Sequence, residues 1–349
     1  MQHGNFKNPL SHKTFIMKKK LSCRICNSTE NHEVFIGREM MFGTREEFEY
    51  FQCADCKCLQ ITTIPDNLGL FYPEEYYSFF TSPKNQKSRL IRLLIKQRFR
   101  NAIFDKGYKV NKILSKFVSM PDLRIDEVLP ISVILRTSGI SNFNARFLDV
   151  GCGSWSIWLE MLYTAGFKNL YGVDPFIKKC INLNGITILN TELKDIQGYF
   201  DLITMHHSLE HIPNQRETLE HAANLLTPNG VILIRIPTVS SFAWQHYKTN
   251  WVEMDPPRHL YLHSKKSVEL LGAQAGLQLY ETISDSLDFE LYGSEQYCRD
   301  IPLTDKKSYW SNRNSTIFTS KELLDFKDMA RNINANNTAG RMCFFFKKR

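Results

Sequence analysis

Apolar positions along the 349-residue chain fall into three regimes. From residue 33 to 53 the run EVFIGREMMFGTREEFEYFQC alternates apolar and polar residues around Gly37 and Gly43, a pattern that predicts short antiparallel strands. From 84 to 112, Leu90, Ile91, Leu93, Leu94, Ile95, Phe99, Ile103 and Phe104 recur at helical spacing and predict an amphipathic helix. Beyond 145, short apolar runs alternate with helical patterns. FLDV, LYGVDP, the stretch ILNTELKDI, FDLITMHHSLEHI and LLTPNGVILIRIPT supply five strands with helices between them, and LQLYETI supplies a sixth. Such an alternation predicts an α/β fold with a doubly wound sheet.

Composition narrows the class. The chain is 43% hydrophobic and 12% aromatic, enough to build a core. No window approaches the roughly 18 to 20 apolar residues that a membrane span requires. The first 20 residues lack the apolar region of a secretory signal, so a cytoplasmic location is expected. Residues 1–17 read as a disordered extension, and Met17 is a candidate start. Charge is concentrated: residues 84–112 hold ten Lys or Arg against Asp105 alone, while the whole chain carries +8. A helix with a solvated basic face, or one drawn to anionic membrane or a phosphate-bearing substrate, meets this pattern. Nucleic acid is not expected as a partner, since neither interleaved aromatics nor a recognition module accompanies the basic run.

The cysteines add a metal. Cys23-x2-Cys26 and Cys53-x2-Cys56 aim two pairs of thiolates at one point, the tetrahedral S4 set that Zn²⁺ prefers. A zinc ribbon follows, with a structural metal that lets so short a module fold. Cys58 is left outside the ligand set.

The turn in FLDVGCGSWSIW decides the main ligand. A phosphate loop would need Gly-Lys-[Ser/Thr], which is absent, and a dinucleotide fingerprint would need glycine where Ser156 stands. Asp149, directly before the glycines, suits a cationic ligand. S-adenosylmethionine carries both a sulfonium and an ammonium, and the glycines let backbone approach it closely. Asp174, at the tip of the second strand, is placed to accept from ribose hydroxyls.

DVGCG, GVDP, FDLITMHHSLEHI and LTPNGVILIRIP, in this order and spacing, resemble the successive motifs of class I S-adenosylmethionine-dependent methyltransferases over about residues 145 to 285. The cysteine pairs, FYPEEYYSF and DPPRHLYLHS are similar to a bacterial subfamily that joins a zinc ribbon to this domain and whose members resemble methyltransferases found with glycan and polysaccharide biosynthesis, including sugar methyltransferases. Trp155 departs from the pattern, standing where the family often has a small residue. The resemblance implies a Rossmann-like seven-stranded sheet, MCFFFKKR forming an antiparallel seventh strand between the fifth and sixth. It assigns Asp149, Gly151, Cys152 and Gly153 to the methionine end, Asp174 to the ribose, Thr191 and Glu192 to the adenine edge, and His206 to the methyl donor. It also implies O-methylation of a sugar, nucleotide sugar or lipid-linked glycan intermediate in cell-surface polysaccharide biosynthesis. The alternative is a binding module that keeps the cofactor without turnover.

A hydroxyl acceptor needs a base, and His207, His211 and His259 are the candidates. His207, Glu210 and His211 would share one face if helical, where they could also hold a divalent metal. Trp251, Asp255 and Arg258 read as a lid, with Arg258 gripping an acceptor anion or a structural salt bridge. The expected domains are 18–82 for the ribbon, 83–140 for a basic helical linker and 141–349 for the catalytic domain, with an insertion at 284–338. In that insertion Tyr292, Glu295, Gln296, Tyr297 and Arg299 face either a sugar or the partner of a homodimer.

Overall fold

The computed structural model describes residues 21–73, 89–104, 124–125 and 129–349. The N-terminal extension, residues 84–88 and 105–112 of the basic segment, and FYPEEYYSF beyond Pro73 lie outside the described residues. The chain divides into two compact units. One combines the chain up to Leu68 with Pro237–Ser267 and Ser286–Gly340; the other combines Gly69–Ile236, Val268–Asp285 and Arg341–Arg349.

The first unit is built on strands β1 (Glu33–Arg38), β2 (Glu47–Gln52) and β3 (Leu59–Ile61). β1 and β2 pair antiparallel in the alternating stretch, from Glu33 opposite Gln52 to Arg38 opposite Glu47. The edge of β3 is taken by Tyr261–Leu262, later in the chain, so the cysteine-rich segment shares its sheet and its unit with residues far along the sequence. Three short strands bury little apolar surface alone, and the remaining residues supply it. Trp244 and Trp251 are fully buried. Helix Phe242–Tyr247 is capped by Ser241, and helix Ser320–Ala335 opens on a capping box of Thr319 and Glu322.

Of the insertion residues expected at a substrate mouth, Tyr292, Gln296 and Tyr297 on helix Phe289–Cys298 are packed inside this unit, Glu295 is half-buried and Arg299 is exposed. Gln296 donates to Ser308 Oγ at 3.0 Å and accepts from Tyr309 N at 2.8 Å, Tyr247 Oη donates to Glu295, and Arg299 pairs with Glu322. Their aromatic and polar character serves internal satisfaction of polar groups.

The second unit holds the large sheet. Strands β4 (Arg124–Ile125) and β5 (Leu129–Pro130) form a separate ladder, followed by β6 (Arg146–Val150), β7 (Asn169–Val173), β8 (Ile181–Leu183), β9 (Ile186–Leu189), β10 (Phe200–His206) and β11 (Leu226–Pro237). After β12 (Tyr261–Leu262, the edge already described) come β13 (Leu277–Ser284) and β14 (Arg341–Lys348). The order is β13-β14-β11-β10-β6-β7-β9-β8. β6 pairs parallel with β7 and β10, β10 with β11, and β7 with β9, whereas β14 runs antiparallel to β13.

The seven expected strands stand in the expected order, and β8 is an eighth at the edge, antiparallel to β9. Asn184 and Gly185, both with positive φ, make the tight turn between them. Helices Arg89–Phe104, Ile131–Thr137 and Ile157–Ala165 share one apolar core that includes Ile95, Phe99, Ile134, Phe147, Leu159, Leu162 and Phe345. Beside it, Asp285 takes Arg235 Nε at 2.5 Å and Arg341 Nη2 on its carbonyl at 2.6 Å, all three buried.

Candidate active site and metal centre

The parallel strands β6, β7 and β10 bring Asp149, Asp174, His206 and His207 to their carboxyl ends. Gly151 and Gly153 both adopt positive φ (71° and 63°), and Gly151 N donates to Val173 O at 2.8 Å, tying the turn to β7. A Cβ at Gly151 would lie 2.5 Å from Ser208 Cβ, so glycine is required on steric as well as conformational grounds.

Asp149 is buried, accepting from Ser156 Oγ at 2.6 Å and Thr204 Oγ1 at 2.7 Å. Burial pushes its carboxyl up to about 6, with the two hydroxyls pulling the other way and Asp174 adding to the rise. Ser156 also accepts from Leu159 N, capping helix Ile157–Ala165, so a single serine links the acid to the helix start. Asp174 accepts from Gly153 N and Phe176 N, both at 2.9 Å.

Among the described residues both carboxylates accept only from neutral donors. Two buried acids without a cation beside an open glycine turn fit a positively charged nucleoside ligand. Cys152 Sγ packs against β7, where a Cβ at Gly172 would lie 2.6 Å from it. Burial pushes the Cys152 thiol up, with Asp149 and Asp174 adding to the rise. Trp155 is buried and donates Nε1 to Glu160 at 2.9 Å. Thr191 donates to Asp195 at 3.0 Å and Glu192 takes Lys194 at 2.7 Å, both in an exposed turn. Phe176, 79% exposed, stands two residues from Asp174.

The histidine segment is not an α-helix. A 3-10 turn spans Leu209–His211 and the α-helix starts only at Gln215. His207 precedes that turn at φ 50°, in the left-handed region that non-glycine residues rarely occupy. Its Nδ1 still lies 3.4 Å from Glu210 Oε1, with Glu210 fully buried and His207 partly open. His211 Nδ1 lies 3.0 Å from the Tyr72 hydroxyl. The His206 ring, at the end of β10, sits 5.3 Å from that of Trp158.

His259 belongs to the other unit. It is buried, its Nδ1 is 2.7 Å from Glu253 O, and burial lowers its pKa. The residues expected to form a lid are interior as well. Arg258 Nε donates to Asp255 at 2.9 Å, and Nη2 reaches both Asp255 at 2.5 Å and Glu39 at 2.8 Å. Glu39 also accepts from Met41 N, Phe42 N and Thr44 N. Of the two fates open to Arg258 from sequence, the structure shows the ion pair.

The four cysteines converge as their spacing requires. Their sulfurs lie within 4.8 Å of one another, with Cys23 to Cys56 at 3.5 Å and Cys26 to Cys53 at 3.4 Å. Those separations exceed a disulfide's about 2.05 Å and approach the roughly 3.8 Å edge of a tetrahedron with Zn–S near 2.3 Å. The two knuckles match: Asn27 N donates to Cys23 O and Lys57 N to Cys53 O, and Asn27 and Lys57 both adopt left-handed φ. Ile25 N and Gln60 Nε2 donate to Cys23 Sγ, as partners of a thiolate would. Cys58 points away, toward His263 at 3.9 Å.

Ser156, Thr204 and Tyr72 were not singled out in the sequence. The hydroxyls gave no signal beyond their nearness to Asp149 and β10. Tyr72 stood in FYPEEYYSF, whose aromatic density was visible but whose partner, 139 residues away, was not.

Residues 123–282 match the family model described as a methyltransferase domain. The mitochondrial ubiquinone biosynthesis O-methyltransferase of Saccharomyces cerevisiae is 29% identical over 143 aligned residues, covering 35% of this chain. The chain thus spans about half, 46%, of the length of that curated relative. Among solved structures, the cyclopropane synthase MmaA2 of Mycobacterium tuberculosis aligns with 76% of this chain and all of its own length, at 14% identity and TM-score 0.40. An S-adenosylmethionine-dependent methyltransferase of Mesorhizobium loti aligns with 59% of this chain and 91% of its own, at 13% identity and TM-score 0.38.

Proposed function

We propose, from the methyltransferase domain that residues 123–282 carry, that the chain transfers a methyl group from S-adenosylmethionine to a hydroxyl oxygen of a sugar, nucleotide sugar or lipid-linked glycan. The observation that carries the reading is the placement of two buried acids, bonded among the described residues only to neutral donors, and a histidine–carboxylate pair at the carboxyl ends of adjacent strands. The O-methyltransferase relative supports oxygen as the acceptor atom, and the sugar rests on the motif resemblance.

When bound, S-adenosylmethionine supplies a methyl carbon activated by its sulfonium, so attack by the acceptor oxygen breaks the carbon–sulfur bond and leaves S-adenosylhomocysteine. The residues of the chain hold and orient. Asp174 offers its remaining lone pairs to the ribose while keeping Gly153 and Phe176 in place. Phe176 offers an apolar face to the base, and Asp149 acts through its field and through the turn it braces. Glu210 lies within ion-pair distance of His207 Nδ1, and this imidazole is the base that takes the hydroxyl proton. The Tyr72–His211 pair supplies a second polar contact for the acceptor. The cysteine cluster supplies stability, since four thiolates close the coordination sphere of zinc.

Incubation with methyl-labelled donor and separate pools of nucleotide sugars and lipid-linked glycans tests the proposal. Label should enter a sugar hydroxyl with equimolar release of S-adenosylhomocysteine. Donor binding without transfer to any pool would overturn the sugar assignment and favour a binding module.

A further inference from the structure

The helix Arg89–Phe104, RLIRLLIKQRFRNAIF, contains five basic residues and no acid. One face is accounted for: Ile95, Phe99 and Ile103 are buried in the core of the sheet unit, and Phe104 packs edge-on against Phe143 at 5.0 Å. A surface helix of this kind ordinarily turns polar residues outward. Here Leu90, Leu93 and Leu94 are 67%, 53% and 53% exposed. Spaced i, i+3, i+4, they form one strip on the side opposite Ile95, Phe99 and Ile103. A lone exposed leucine needs no explanation, whereas three neighbours on one strip mark a surface that something covers.

The charges say what covers it. Arg98 and Arg100 fall on either side of the leucine strip at 100° per residue, and the sequence from 84 to 112 carries ten basic residues against one acid. A second copy docking through this face would bring two acid-free basic helices together, so like charges oppose that arrangement. A soluble phosphate would leave the leucines in water. We infer that this face docks on an anionic lipid bilayer. The helix lies in the interfacial plane, its leucines enter the acyl boundary, and its arginines extend to the headgroup phosphates. The helix is anchored to the sheet unit by its inner face, so the whole unit is carried to the membrane without a spanning segment. Among the described residues no helix is long and apolar enough to cross one. This inference is independent of the acceptor's identity.

Sedimentation of the full chain with vesicles tests it. The chain should pellet with phosphatidylcholine–phosphatidylglycerol vesicles and not with phosphatidylcholine alone, and binding should fall as salt is raised. The double variant Leu93→Ser/Leu94→Ser should bind anionic vesicles at least tenfold more weakly while keeping the wild-type thermal transition, because both side chains are already exposed. Arg98→Gln and Arg100→Gln should each weaken binding about fivefold, the worth of one basic residue near an anionic surface. Equal binding to both vesicle types, no binding to either, or leucine variants that pellet like wild type would overturn the inference. So would leucine variants that change the oligomeric state in sedimentation velocity and leave vesicle binding intact.

Discussion

Replacing Arg258 by alanine separates its two roles cleanly. The guanidinium is fully buried and bonded to both Asp255 and Glu39, and Glu39 is itself buried with Met41 N, Phe42 N and Thr44 N on its carboxylate. Arg258→Ala leaves Glu39 as an interior charge without its cation and opens a cavity where the side chain lay. Breaking one partner of a buried pair costs about 3 to 5 kcal/mol, and the three backbone donors on Glu39 place this case toward the lower figure. For a domain of 150 to 250 residues the lower figure of about 3 kcal/mol corresponds to a fall in Tm of roughly 6 to 12 °C, at about 2 to 4 °C per kcal/mol. Arg258→Lys, which keeps the charge and loses the fork, should recover part of the loss. Differential scanning calorimetry reads the shift, and steady-state kinetics below the transition should show KM for the acceptor within a few-fold of wild type. An unchanged Tm with a KM raised by an order of magnitude would refute the interior ion pair and restore the lid.

Other consequences follow from the same geometry. His207→Ala should lower turnover roughly 10²- to 10⁴-fold, with donor affinity within a few-fold; a variant retaining half of wild-type turnover would show that alignment alone suffices. Cys23→Ser or Cys53→Ser should release zinc, measured by a colorimetric chelator, and unfold the first unit while the donor still binds; retention of a full equivalent of zinc would mean the ligand set is wrong. Donor affinity should weaken as pH falls through about 6, because burial raises the Asp149 carboxyl to that value and protonation removes the charge that attracts a cation. The loss approaches tenfold per pH unit if Asp149 must be ionised; flat affinity from pH 7 to 5 would show that its charge does not matter.

Much of this was legible because strand and turn signals are local. Apolar runs with Gly151, Gly153 and Asp174 at their ends marked β6, β7 and the turn between them, and the Cys-x2-Cys spacing marked the knuckles. What failed depends on long-range contacts. The HHSLEHI segment has helical spacing, yet β10 runs to His206 and forces His207 into a left-handed turn, so its contact with Glu210 arises from a different backbone. Asn184-Gly185 was a readable hairpin signal, but INL before it is too short and polar to register as a strand. Tyr292, Gln296 and Tyr297 looked like recognition residues because sequence cannot tell a polar aromatic facing a ligand from one satisfied by Ser308 or Arg313. Pairing of β3 with Tyr261–Leu262 joins segments some 200 residues apart in the chain, and no local pattern announces it.

In the proposed function the glycine turn and Asp174 hold S-adenosylmethionine. Calorimetric titration of donor into wild type and Asp174→Ala tests it most directly. Hydrogen bonds to a charged acceptor contribute roughly 1.5 to 3 kcal/mol each, so losing even one ribose contact predicts at least a tenfold weaker Kd, with the sheet unit still folded. Equal affinity in the two proteins would contradict the account.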